Sequence, residues 1–119
     1  MQIPLQVTFR GLPQSDAMEA KIREKVQKLE RYCDRIISCR VMVERTHHNH
    51  NKGDLYHVRI DLTVPGKEIV ISREHHENHA YEDAYVAIRD AFDAAARQLE
   101  EYERIRRGEV KRHSSSAPK

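Results

Sequence analysis

The stretch Asp83-Ala-Tyr-Val-Ala-Ile-Arg-Asp-Ala-Phe-Asp-Ala-Ala-Ala-Arg-Gln-Leu99 decides the fold. In and around it the large apolar residues fall at Tyr81, Tyr85, Ile88, Phe92, Leu99 and Tyr102, with Ala84 and Ala95 between them. Steps of three and four put these residues on one stripe of a long helix, and the opposite side is charged. Such a stripe needs a surface to cover. The β-rich runs that precede the helix supply one.

Working back from the helix, Tyr56, Val58, Ile60, Leu62 and Val64 alternate with His57, Arg59, Asp61 and Thr63, a half-buried strand. Pro65-Gly66 is a turn into a further strand with Ile69 and Ile71 inward. Pairing Val64 with Lys67 sets Leu62 against Ile69, Ile60 against Ile71 and Val58 against Arg73. A slip of one residue would turn Glu68 and Ser72 toward the apolar face. This register also puts His57 opposite Glu74. Upstream, Ile37, Cys39, Val41 and Val43 read as the inward side of another strand. Ile3, Leu5, Val7 and Phe9 read as the inward side of the first.

Between these two strands Met18, Ile22, Val26, Leu29 and Cys33 share a helix face. Ser15 or Asp16 can cap it, and Asp16 with Glu19 resembles a capping box. The last helix is expected over 79–107, with Gly108 as its C-terminal stop. The fold class is therefore α+β, in the order β-α-β-β-β-α. It is a four-stranded mixed sheet with a parallel first pair and two helices packed on one face. Residues 1–108 form one domain, and 109–119 read as a disordered basic tail.

With 119 residues, 39% apolar and 34% charged, the chain suits a single surface-rich domain. No run has the length needed to cross a membrane. The N-terminus enters a strand directly, without a signal peptide's basic start and apolar block, so a cytoplasmic location is expected. Cys33 and Cys39 lack metal-finger spacing and read as buried thiols. No phosphate loop, nucleophile elbow or arrangement of base, orienter and nucleophile is present, and no enzymatic activity is expected.

Seven of the eight histidines, His47, His48, His50, His57, His75, His76 and His79, fall in segments that the topology gathers at one end of the sheet. A plain polar cluster, a proton-linked or RNA-facing patch, and a zinc or nickel site all fit them. As metal ligands, His47, His48, His50, His75, His76 and His79 are weak candidates, because their loop spacings fix no geometry.

Net charge is +2, and its distribution says more than its size. From Arg104 onward six basic residues stand against one acidic, just after Glu100, Glu101 and Glu103. A basic end on a nearly neutral domain points to a polyanionic partner. In the first helix Lys21, Lys25 and Lys28 follow one stripe, and Arg31 continues it. The five tyrosines read mostly as core-facing, which leaves no platform for base stacking.

Two motifs carry a resemblance. Lys28-Leu29-Glu30-Arg31-Tyr32 ends the first helix. Asp83-x-Tyr85-x-Ala87-Ile88-x-x-x-x-Asp93-x-x-x-Arg97-Gln98-Leu99 fixes polar as well as apolar positions of the last. Together with the order of elements, they resemble the short ribosome hibernation promoting factor / ribosome-associated inhibitor A family over roughly residues 2–107. The resemblance implies binding to the small ribosomal subunit in the channel of messenger and transfer RNA. It implies no cofactor, no small-molecule substrate and no membrane, and leaves the oligomeric state open. Lys21, Lys25, Lys28, Arg31, Arg89, Arg97, Arg104, Arg106 and Arg107 become the expected contacts to ribosomal RNA, by phosphate and shape recognition. The family commonly has a lysine where this chain has Ala94, and further lysines where it has Glu100, Glu101 and Glu103. The second expectation, of another class, is a protein-interaction or metal-responsive module working through the histidine-rich end.

Overall fold

The computed structural model describes residues 3–47, 54–73 and 83–115. It contains β1 (Leu5–Arg10), α1 (Asp16–Leu29), β2 (Ser38–His47), β3 (Asp54–Val64), β4 (Lys67–Arg73) and α2 (Ala84–Ser115). The strands form one sheet in the order β1-β2-β3-β4. β1 pairs parallel with β2, and the other neighbours are antiparallel. The β3–β4 register is the one the alternation demanded: Leu62 faces Ile69, Ile60 faces Ile71 and Val58 faces Arg73. Glu74 lies outside the described residues.

One face of the sheet is dry. Cys39, Val41, Val43, Val58, Ile60, Leu62, Val64, Ile69 and Ile71 meet Ile22, Val26 and Leu29 of α1 and Ala87, Ile88, Ala91, Phe92, Ala95 and Leu99 of α2 in one buried cluster. Burying that much aliphatic and aromatic surface is the main term holding the domain together. Both helices run antiparallel to β1, β2 and β4, and so parallel to each other. The Tyr102 hydroxyl donates to Pro65 O at 2.9 Å, which fixes α2 to the β3–β4 turn. Residues 103–115 continue past that turn, about 20 Å of helix at 1.5 Å per residue.

Four local expectations need correcting. The cap of α1 is Ser15, whose side chain accepts from Met18 N at 3.2 Å, so Glu19 sits one residue too late for a capping box. Ile37 is 53% exposed, because β2 and its pleat begin only at Ser38; Ile36 packs on the core instead. Tyr85 is exposed, and small residues (Ala87, Ala91, Ala94, Ala95) join the larger side chains of α2 in the buried cluster with the sheet. α2 does not stop at Gly108. Gly11 and Gly66 are the only positive-φ glycines among the described residues. One interior glycine costs only about 1 kcal/mol against alanine, so good helix formers on both sides carry α2 to Ser115.

Candidate nucleic-acid interface

Helix geometry decides which way the basic residues of α1 look. Arg23, Val26, Gln27 and Glu30 line a shallow pocket with Ile3 and Leu5, so that flank of α1 lies over β1. At 100° per residue, Lys21, Lys25 and Lys28 fall on the opposite flank, toward α2. Lys21 and Lys28 share Glu24, at 3.4 and 3.9 Å. Lys25 is half-buried and has no ion pair among the described residues.

Where α1 ends, its turn meets α2 across an open groove of about 650 Å³. Arg31, Tyr32, Arg97, Arg104 and Arg107 line it, together with Glu100, Glu101 and Glu103. Four of the expected contacts thus converge, and the Lys21/Lys25/Lys28 stripe leads into them. Arg31, Arg97 and Arg107 have no ion pair among the described residues. Arg104 pairs with Glu101 on the surface, a type of pair that contributes about 0.2–1 kcal/mol and yields readily to a phosphate. Arg89 lies farther along α2, exposed and 3.2 Å from Asp90.

Arg106 is placed differently. Its side chain turns inward, 35% exposed, and donates to Glu103 Oε1 at 2.7 Å. Glu103 is buried, 6% exposed, on the apolar stripe one turn beyond Leu99. The hydrogen bond from Arg106 holds its carboxyl below the usual carboxylate range, and a second bond from the Cys33 thiol acts in the same direction. Burial, with Glu103 beside it, pushes the Cys33 thiol up. Glu103 therefore joins the end of α1 to α2, and its charge is met by Arg106 where it borders the groove. Sequence reasoning missed this role, and the signal was a carboxylate at a stripe position. Ala94 is buried against the sheet, so a lysine there would need a different approach of α2.

The opposite face of the sheet also carries arginines, but they are largely neutralised in place. Asp61 takes Arg59 at 3.2 Å and Arg40 at 3.7 Å, and Arg40 reaches Glu68 at 3.7 Å. His57 lies between Glu44, at 3.5 Å, and Ser72 Oγ, at 2.8 Å. Of the histidines in the weak metal set, His47 ends β2, and His48, His50, His75, His76 and His79 lie outside the described residues. Among the described residues no group of three His, Cys, Asp or Glu could hold a metal ion. No helix there is long and apolar enough to cross a membrane.

The tyrosines need a correction as well. Tyr32 is 38% exposed at the groove, so an aromatic platform stands beside the arginines.

Fold and groove define an α+β module with a cationic cleft between two parallel helices. The chain belongs to the family described as Sigma 54 modulation protein / S30EA ribosomal protein, whose model matches residues 5–107. The resemblance read in its last helix, to the ribosome hibernation factors, is thereby borne out. The ribosome hibernation promotion factor of Deinococcus radiodurans is 34% identical over 103 residues, 86% of this chain and 49% of that protein. The chain thus spans about half the length of that relative. The Protein Y N-terminal domain of Thermus thermophilus matches with a TM-score of 0.61 at 22% identity, over 86% of this chain and 99% of that one. A ribosomal subunit interface protein from Coxiella burnetii matches with a TM-score of 0.68 at 19% identity, over 85% and 98%. These two likenesses establish the shared fold.

Proposed function

We propose that this protein is a ribosome hibernation factor. It binds the small ribosomal subunit in the channel of messenger and transfer RNA, and keeps idle ribosomes from translating. The observation that carries this reading is the convergence of Arg31, Arg97, Arg104 and Arg107 on the groove between the helices, with the Lys25 flank of α1 leading into it, in a chain of the S30EA ribosomal family. The names of the Deinococcus and Coxiella relatives support it. The mode of action is occupancy: phosphates sit along the cleft, the domain fills the path of the RNA, and no bond is made or broken. The site of action is the cytoplasm.

Co-sedimentation with purified small subunits, at low and at physiological salt, tests the reading. The wild-type protein should be retained at both. The triple variant Lys25→Glu, Lys28→Glu, Arg97→Glu should be released while keeping its unfolding transition. Retention of that variant would remove the cleft from the interface, and loss of the wild type at both salts would remove the ribosome as partner.

A further inference from the structure

A groove meant only for phosphates gains nothing from acids, yet three line this one. Two are engaged: Glu101 with Arg104, and Glu103 with Arg106. Glu100 is exposed and has no ion pair among the described residues. It shares the groove with Tyr32 and with the three arginines that also lack an ion pair. A free carboxylate, an exposed ring and several guanidinium groups around about 650 Å³ match the parts of a nucleotide. Pockets of about 300–1,000 Å³ take ligands of that size. Unstacked bases of single-stranded RNA are held by aromatic stacking and by hydrogen bonds to their Watson–Crick edges. A carboxylate only accepts. Guanine offers it two adjacent donors, N1–H and N2–H, one for each oxygen, whereas the other bases offer less.

Resting on the ribosomal reading above, we infer that this groove holds one unstacked nucleotide of RNA and prefers guanosine. The base lies on Tyr32, its donor edge meets Glu100, and the flanking phosphates meet Arg31, Arg97 and Arg107. The acids that weaken phosphate binding thereby give base selectivity.

Fluorescence anisotropy with the labelled hexamers UUGUUU and UUUUUU tests this on the whole chain. The guanosine hexamer should bind roughly fivefold tighter or more, the range of a bidentate base contact. Tyr32→Ala should weaken it roughly fivefold to a hundredfold, and Tyr32→Trp should restore it. Glu100→Gln should erase the difference without weakening UUUUUU. Equal affinities for the two hexamers would overturn the inference. So would no binding of either at low salt, or a neutral Tyr32→Ala beside an Arg97→Gln that weakens both. Unchanged thermal unfolding of Tyr32→Ala shows that the loss is not one of folding. Subunit retention with equal hexamer affinities removes this inference alone. Guanosine preference without subunit retention removes the ribosome and leaves the groove's ligand standing.

Discussion

A Cβ placed on Gly11 would stand 2.3 Å from the carbonyl oxygen of Arg45, at a φ of +76°. The same methyl on Gly66, at +77°, would meet nothing within 4 Å. Both substitutions force a left-handed backbone on alanine, at about 1–2 kcal/mol, but only the first must also move a strand. Gly11→Ala should therefore lower the urea midpoint clearly more than Gly66→Ala does. Equal midpoints would mean that the β1 exit is free to shift. Arg45 reinforces that exit by donating from Nε to Gly11 O at 2.9 Å. Phe92 is buried in the heart of the helix–sheet layer, so Phe92→Ala should cost about 3–5 kcal/mol in the same assay. Cys39 is buried and its thiol is pushed up to about 12. A thiol so placed is a poor nucleophile, and a disulfide reagent at pH 8 should label it only after denaturant is added.

Among the elements, α2 carries the most consequence. Glu103 is ionised at neutral pH and favoured in that form by Arg106 and Cys33. A carboxyl depressed on folding adds stability above its ordinary value of 4.5 and loses it as pH falls through the folded value. Wild type should thus exceed Glu103→Gln in stability at pH 7, and the gap should close as pH is lowered from about 5. A gap independent of pH would show that Glu103 acts through packing alone. The sheet was legible residue by residue, because a period of two leaves one register that keeps Ile60, Leu62, Ile69 and Ile71 together. α2 was less so. Its large apolar stripe was legible, but much of its inner face is alanine (Ala87, Ala91, Ala94, Ala95) whose spacing carries little signal, and a lone glycine such as Gly108 reads equally as a stop or as a passenger. Truncation after Gly108 removes the last turns, and should reduce ribosome affinity modestly at low salt while leaving the urea midpoint unchanged.

At the level of the whole molecule, a nearly neutral protein of the proposed function would have to bind a polyanion through placement of charge. Logarithmic plots of affinity for small subunits against salt should slope downward. Each phosphate contact removed from Lys25, Arg31, Arg97 or Arg107 should flatten that slope by roughly 0.7–0.9. The candidate site was half legible. The stripe of α1 and the arginines of α2 stood out as residue types, but their meeting depends on the parallel run of two helices far apart in sequence. The exposure of Tyr32 depends on a turn that has no period.

The parallel β1–β2 pairing and the clasp between Tyr102 and Pro65 bring the start of β1 and the far half of α2 to the same end of the molecule. Under tension between the chain ends, the force crosses the strands. β1, an edge strand hydrogen-bonded only to β2, should peel away one ladder bond at a time, at low force. If the second handle is moved to Asp83, at the other end of α2, the pull follows the strand axis and loads the whole ladder in shear. A single-molecule trap should then record a markedly higher rupture force for the same domain.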